Sequence, residues 1–267
     1  MKANSLFLLL FFLAFEALGQ TAEKQGSFDL PFKPVTGSID RQGYLYFASI
    51  DGIIEKYDQN GKLLFHYSPQ KKATPSLIEA WQGLRVFAYY QAFQEYLFLN
   101  RFLTDSERYN LTKLNFGQFN GVATLAADNN LWLFNSNTLT LNKIDIQNGE
   151  VLLENILSLI IDIKSIQPTF IREYQNLLFI SDKQHGVLVF DNLGNYMESL
   201  EIKELDFFSF QSNQLVAISK GKIVLMDIYT KTKREISPDN LSYQLVFMEN
   251  NQLFALSGNT VDILSIN

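Results

Sequence analysis

The residues best suited to chemistry in this chain lie in short polar segments that follow strongly hydrophobic ones. His185, one of two histidines, lies in the segment Ser181-Asp182-Lys183-Gln184-His185-Gly186, and Asp51 lies in a matching segment, Ser49-Ile50-Asp51-Gly52. Histidine titrates near neutral pH and carboxylates bind metal ions. Asp51, Asp182 and His185 are therefore candidate acid–base groups or metal ligands, and a metal-assisted hydrolase or lyase is one functional hypothesis.

A second set of residues has the composition of a protein-binding surface. Its members are aromatic or carry an amide, and they are Trp81, Tyr89, Tyr90, Asn135 and Asn137. Aromatic side chains are enriched where protein interfaces contribute most of their binding energy. The binding hypothesis predicts one polar-aromatic patch from these residues. The alternative is that Tyr89 and Tyr90 only end a buried strand.

Six repeats must position both sets. In each repeat a polar turn ending in Gly or Asn leads into an aliphatic and aromatic strand, as in Arg41-Gln42-Gly43 before YLYFAS. The turns end at Gly43, Gly83, Asn130, Asn176, Asn213 and Asn251, which are 40, 47, 46, 37 and 38 residues apart. Repeats of this length are typical of propeller blades. The sequence therefore predicts an all-β, six-bladed β-propeller with four antiparallel strands per blade.

A second recurring pattern marks the end of the third strand in four repeats. An aspartate stands there each time, at Asp58, Asp145, Asp191 and Asp227. Aspartate accepts hydrogen bonds from the backbone of a turn, and the glycine that follows in three of the repeats tolerates positive φ. We interpret these aspartates as turn residues of a hairpin to the fourth strand, rather than as a series of metal ligands. The candidate site residues Asp51, Asp182 and His185 lie in turns between second and third strands, on the opposite face.

The sixth repeat lacks a fourth strand of its own before the chain ends at Asn267. The segment Ser27-Phe28-Asp29-Leu30-Pro31-Phe32 precedes the first repeat and has no other blade to join. We expect it to pair with the C-terminal strand and to complete the sixth blade, which leaves the ring without an open seam. Pro31 is compatible with an outer strand because such a strand donates hydrogen bonds on one side only.

Two stretches resemble blades of the NHL type. They are IDRQGYLYFASIDGIIEKYDQNGKLLFHY, with its Lys-Tyr-Asp-x-x-Gly ending, and QNLLFISDKQHGVLVFDNLGNYMESL. The resemblance implies a six-bladed β-propeller of the kind that binds proteins or ligands and that occasionally carries hydrolase or lyase chemistry. The Trp-docking repeats of quinoproteins and the Asp-box repeats of sialidases do not occur in the sequence, so no cofactor is predicted.

The N-terminal segment predicts export. Lys2 precedes an apolar run from Leu6 to Phe15, and Ala17-Leu18-Gly19 places small residues before a cleavage position. We interpret residues 1–19 as a signal peptide and residues 20–267 as a single propeller domain without a membrane span. The chain has no cysteine, which favours the periplasm or cell surface of a Gram-negative bacterium. A net charge of −6 argues against nucleic acid as a partner.

The sequence therefore predicts an exported, non-catalytic binding or scaffold propeller of the bacterial cell envelope. Its expected partner is a protein or an envelope complex, and its oligomeric state is not predicted. The metal-assisted hydrolase or lyase remains the alternative.

Overall fold

A computed structural model describes residues 22–104, 106–114, 121–161 and 166–266. The predicted signal peptide lies outside the described residues, and so does its cleavage position. Within the described ranges, no helix has both the length and the hydropathy needed to cross a lipid bilayer.

Twenty-four strands form six sheets of four antiparallel strands each. Strand β1 (Ala22–Asp29) comes first in the chain and belongs to the sixth sheet. Blade I contains β2 (Pro34–Ile39), β3 (Leu45–Ser49), β4 (Ile54–Tyr57) and β5 (Leu63–Tyr67). Blade II contains β6 (Leu77–Glu79), β7 (Arg85–Tyr90), β8 (Glu95–Asn100) and β9 (Ser106–Asn110). Blade III contains β10 (Gly121–Leu125), β11 (Leu131–Asn135), β12 (Thr140–Ile144) and β13 (Val151–Ile156).

The second half of the chain repeats the same organisation. Blade IV contains β14 (Pro168–Tyr174), β15 (Leu177–Asp182), β16 (Gly186–Phe190) and β17 (Tyr196–Leu200). Blade V contains β18 (Phe208–Gln211), β19 (Gln214–Ser219), β20 (Lys222–Asp227) and β21 (Lys233–Ile236). Blade VI contains β22 (Leu245–Glu249), β23 (Gln252–Ser257), β24 (Thr260–Ile266) and β1. The short helices are a 3-10 turn at Gln91–Phe93, another at Leu111–Leu114, and α1 at Leu157–Ile160.

The predicted six-bladed propeller is confirmed. The first strand of each blade is innermost, and it contacts the first strands of neighbouring blades around the axis. The second strands are buried on both faces, so successive side chains enter the two different interfaces that flank a blade. Tyr46 packs toward blade II, whereas Phe47 lies 6.0 Å from the Phe247 ring of blade VI. The outer strands β5 and β13 contain exposed and partly buried residues, as expected at the rim of the disc.

The turns explain the repeating residues of the sequence. Gly43 and Gly83 adopt φ values of 79° and 73°, and Asn176 and Asn251 adopt 61° and 65°. These are left-handed conformations that Gly and Asn tolerate better than other residues. We call the face that carries these first-to-second turns the lower face. The turns between second and third strands lie on the opposite, upper face.

The recurring aspartates act as turn residues. Asp191 Oδ1 accepts hydrogen bonds from the backbone N–H of Leu193 at 2.9 Å and of Asn195 at 2.8 Å. Asp58 makes the same pair of bonds to Asn60 and Lys62. Asp145 and Asp227 likewise each accept two backbone N–H bonds within their own turn. These contacts account for the aspartates without a metal ion.

The N-terminal strand closes the ring, as predicted. β1 pairs with β24 from Ala22 opposite Ile266 to Asp29 opposite Thr260. The strand begins earlier than the predicted segment and ends at Asp29, so Pro31 lies beyond it. Lys24 Nζ lies 2.7 Å from Asp262 Oδ1, which links β1 to β24 by an ion pair in addition to the backbone bonds.

Closure also depends on a glycine in blade I. The Phe28 ring of β1 stacks on Tyr57 with 5.9 Å between ring centroids. Gly61, in the hairpin after β4, has a φ of 82°, and a Cβ atom placed on it would overlap Phe28. Gly83 has a similar φ of 73°, but a Cβ atom there meets nothing within 4 Å.

We expect Gly61→Ala to destabilise the protein more than Gly83→Ala. Both variants strain a left-handed residue by about 1 kcal/mol, but only the first also displaces the closing strand, which adds at least about 1 kcal/mol. The measurement is the free energy of unfolding in urea for both variants. Equal losses would show that β1 does not pack against this turn as described.

Candidate functional site

The channel along the axis opens into a cavity on each face of the disc. The upper cavity has a volume of about 540 Å³ and is lined by residues from blades I, II, IV, V and VI. The lower cavity has a volume of about 460 Å³ and is lined by residues of blades I to IV. Cavities of this size are in the range that proteins use for small-molecule ligands.

The upper cavity contains a row of phenylalanines. The Phe207 ring lies 4.9 Å from the Phe170 ring and 5.5 Å from the Phe247 ring, so blades IV and VI are connected across this part of the axis. Two acidic residues near the entrance are already paired on the surface. Glu204 lies 3.7 Å from Lys220 Nζ, and Asp206 lies 3.1 Å from Lys183 Nζ.

Asp182 and His185 form a close pair at the β15–β16 turn. His185 Nδ1 lies 2.7 Å from Asp182 Oδ1, and this carboxylate also accepts the backbone N–H groups of Gln167, Gln184 and His185 itself. The Asp182 side chain is 1% exposed and the His185 side chain 31%. The buried carboxylate therefore orients the imidazole and holds its turn together.

Asp51 does not belong to the same site. It lies in blade I, three blades away from Asp182 in a ring of six, and its Oδ2 is 2.8 Å from Lys72 Nζ. The set Asp51, Asp182 and His185 therefore does not converge on one ion or substrate. Across the described ranges, no group of three or more His, Cys, Asp or Glu side chains is arranged to hold a metal ion.

The structure also separates the five residues of the candidate binding patch. Tyr89 and Tyr90 are 1% and 0% exposed, at the upper end of β7, where they pack between blades. Trp81 lies before the opposite end of β7, on the lower face. The tyrosines therefore end a buried strand, and Trp81 lines the lower cavity instead.

Asn135 and Asn137 remain on the upper face, in the turn after β11. Asn135 Oδ1 accepts the backbone N–H of Asn137 at 3.0 Å, so one of the two amides shapes the turn. Asn137 is exposed. Its role as a binding residue stays a prediction.

A belt of mostly polar residues surrounds the axis at a depth between the two cavities. Its members are the first-strand residues that pair with a second-strand residue facing the next blade: Ser38, Glu79, Thr124, Arg172, Ser209 and Phe247. All six are buried. Buried polar side chains need partners, and four of these find one in a neighbouring blade.

The contacts of the belt connect neighbouring blades directly. Ser38 Oγ accepts the backbone N–H of Ala80 at 3.0 Å, and Ser209 Oγ donates to the Val246 carbonyl at 2.8 Å. Thr124 Oγ1 donates to Glu79 Oε2 at 2.8 Å. The belt thus aligns the inner strands in register around the channel.

Two belt positions carry opposite charges. Arg172 Nε of blade IV lies 3.5 Å from Glu79 Oε1 of blade II, and both residues are 6% exposed. Arg172 Nε forms no hydrogen bond within the described part of the chain. The pair therefore spans the channel in front of blade III, and it is a long ion pair in a buried setting.

Burial shifts the pKa of Glu79. Desolvation raises the pKa of Glu79 above its usual value, although Arg172 and the hydroxyl of Thr124 act in the opposite direction. Glu173, which lies beside it, raises the pKa of Glu79 further by repulsion. The buried setting therefore favours the protonated form of Glu79 more than water does.

The lower cavity lies next to this pair. Glu173 is 7% exposed and accepts hydrogen bonds from Ala127 N at 3.0 Å and from Trp132 Nε1 at 2.5 Å. The Trp81 ring lies 5.0 Å from the Tyr174 ring, and the exposed Arg41 guanidinium lies 5.2 Å from the centre of the Trp81 ring. The lower cavity is therefore lined by two carboxylates, two aromatic rings and the long cationic side chain of Arg41.

The sequence predicts candidate residues on the upper face, and of this lower cluster it includes Trp81 but not the charged residues. A sequence pattern for it exists. Glu79 and Arg172 each stand four residues before the Gly or Asn that ends the first turn, where Ser209 and Phe247 stand in blades V and VI. Opposite charges at the same position of two inner strands are unusual in a buried repeat. In blades I and III the equivalent residues, Ser38 and Thr124, stand further from the Gly or Asn of the turn. The four-residue spacing therefore does not identify them.

Comparisons with known proteins identify the fold. The chain resembles the β-propeller domain of Cps50 (Swd1) from Myceliophteria thermophila with a TM-score of 0.66 and 11% identity, over 92% of this chain and 100% of that one. It resembles a streptogramin B lyase with a TM-score of 0.61 and 15% identity, over 91% and 97% of the two chains. A virginiamycin B lyase from Staphylococcus aureus gives 0.64 and 12%, over 91% and 99%.

No family model matches the chain, and no curated protein matches it. These structural similarities support the β-propeller fold, whereas identities this low carry no function with them.

We expect Arg172→Met to destabilise the protein more at pH 7 than at pH 4.5. The folded state already binds the Glu79 proton more tightly than the unfolded state, so its stability falls as pH rises above the usual glutamate pKa. Without Arg172 the free energy of unfolding should fall more steeply with pH. It should be lower by about 3 kcal/mol at pH 7, because a buried carboxylate is left without its cation. Urea unfolding at both pH values measures it. A loss that is the same at both pH values would contradict the buried pair.

We expect Tyr89→Phe to stabilise the protein by up to about 1 kcal/mol. The Tyr89 hydroxyl is buried and has no hydrogen-bond partner within the described ranges, so its removal relieves a desolvation cost. Tyr96→Phe is the matched control, because Tyr96 donates to the Ile146 carbonyl at 3.0 Å and its loss should destabilise by a similar amount. Thermal unfolding distinguishes the two variants. A destabilised Tyr89→Phe variant would indicate a partner or a functional role for this hydroxyl.

Proposed function

We propose that this protein is an exported, non-catalytic binding or scaffold propeller of a Gram-negative cell envelope, and that its partner is a protein or an envelope complex. The observation that supports it most is an exposed hydrophobic rim on blades III and IV. The closed ring and its short turns give a rigid disc, which suits a surface that presents contacts rather than one that rearranges.

The hydrophobic rim is built from β13, α1 and the outer part of blade IV. Five of its side chains are at least 42% exposed within ten consecutive residues: Val151, Leu152, Ile156, Leu159 and Ile160. Leu193 and Met197 of blade IV are 56% and 54% exposed. Asn155 Nδ2 donates to the Leu193 carbonyl at 2.9 Å, so β13 lies next to the part of blade IV that carries Leu193.

Such a concentration of exposed apolar side chains is uncommon on a protein that acts alone. Single exposed hydrophobic residues are ordinary, but contiguous groups mark contact surfaces. β13 is also an outer strand with an unpaired edge, and an edge of this kind is available for contacts between chains. A protein partner that covers the rim would remove both features from water.

The hydrolase or lyase alternative has less support. Asp182 and His185 are paired, but Asp51 lies on the other side of the ring, so the proposed set contributes two residues to any one site. The lyases among the structural neighbours share the fold at low identity, and that likeness does not extend to their chemistry.

Site-specific photo-crosslinking in cells that express the tagged full-length chain tests this function. We expect discrete adducts when the crosslinking residue replaces Leu159 or Met197, and none when it replaces His66, an exposed residue on the outer strand of blade I. We also expect the tagged protein in the periplasmic or surface fraction. A cytoplasmic protein, or identical adducts from all three positions, would contradict the proposal.

A further inference from the structure

The lower cavity contains more buried negative charge than buried positive charge. Glu79 and Glu173 are both more than nine-tenths buried and both line it, whereas the buried cation Arg172 pairs with Glu79. Arg172 lies 3.5 Å from Glu79. No ion pair to Glu173 occurs in the described part of the chain, and its known contacts are hydrogen bonds from a backbone N–H and an indole.

This charge imbalance favours a cationic ligand over an anionic or a neutral one. A buried carboxylate without a cation is costly, so a ligand that supplies a positive charge gains the compensation that the protein omits. An anionic ligand would add to the repulsion between Glu79 and Glu173. A neutral ligand would leave the Glu173 carboxylate without a positively charged partner.

The aromatic residues of the cavity favour the same class. Trp81 and Tyr174 stand at its mouth, and a cation placed over a tryptophan face is attracted by the electrons of the ring. The guanidinium of Arg41 already lies 5.2 Å from the centre of the Trp81 ring. Arg41 is exposed, so its guanidinium can leave the ring when another cation takes its place.

We propose that the lower cavity binds a small organic cation, whose ammonium or guanidinium group displaces Arg41 from Trp81 and faces Glu79 and Glu173. The amides of Gln82, Asn129 and Asn176 also line the cavity and offer hydrogen bonds to polar groups on the rest of the ligand. A volume of about 460 Å³ accommodates a molecule of the size of a short amine or guanidine. The site lies on the axis, away from the hydrophobic rim, so it does not depend on the proposed protein partner.

Fluorescence titration of the full-length protein tests the site, because Trp81 lines the cavity and Trp132 donates to Glu173. We expect saturable changes with agmatine and with tetramethylammonium, and none with sodium butyrate or sorbitol. Arg41→Ala should strengthen agmatine binding by about three- to tenfold, since it uncovers the ring and removes a like charge. Glu173→Gln should weaken it by about tenfold or more.

Exposed residues elsewhere provide the controls. Arg101→Ala and Glu201→Gln change the same charges on the surface away from the cavity and should leave the affinity unchanged. Arg41→Ala is also the decisive variant if Glu173→Gln does not fold, because Arg41 is exposed. Weaker cation binding by Arg41→Ala, equal binding of sorbitol, or no saturable binding of either cation up to about 10 mM would each overturn the proposal.

Discussion

The pairing of β1 with β24 is the contact on which the rest of the structure depends. Each blade packs on its neighbours mainly through the faces of its sheet, so one connection between the beginning and the end of the chain closes the ring. Strand β1 provides this connection with seven residue pairs, from Ala22–Ile266 to Asp29–Thr260, and with the Lys24–Asp262 ion pair. Since both cavities are built from several blades, their shapes exist only in the closed ring.

Within the closed ring, the polar belt fixes the alignment of each inner strand with the inner strands of neighbouring blades. A hydrophobic interface tolerates sliding, but a hydrogen bond such as that from Thr124 to Glu79 requires one register. The Glu79–Arg172 pair adds a contact between blades that are not neighbours. A buried pair of this length contributes little stability for its desolvation cost, so we infer that its main effect is to specify the geometry of the channel.

The sequence predicts the architecture well because architecture depends on local rules. Turn residues such as Gly43 and Asn176 adopt the left-handed conformations that their types predict, and the aspartates at the third-strand ends cap their turns. The closing strand follows from counting strands in the sixth repeat. Each of these conclusions needs only residue type and spacing.

Which candidate residues lie together depends on the blade and the face that each one occupies, and residue type and spacing do not give this. Trp81 and Tyr89 are eight residues apart in sequence, but one β-strand carries them to opposite faces of the disc. Asp51 and Asp182 occupy equivalent turns of two different blades, I and IV, so the ring keeps them apart. Glu79 and Arg172 meet across blade III because their side chains reach into a channel whose width no local pattern specifies.

We propose that the charged lower mouth of the channel is a ligand site of this propeller, and a crystal structure of the full-length protein grown with tetramethylammonium tests this. We expect the cation between the Trp81 ring and the carboxylates of Glu79 and Glu173, with the Arg41 side chain turned away from the ring. An empty lower cavity with Arg41 still over Trp81, or a cation bound in the upper cavity alone, would contradict it.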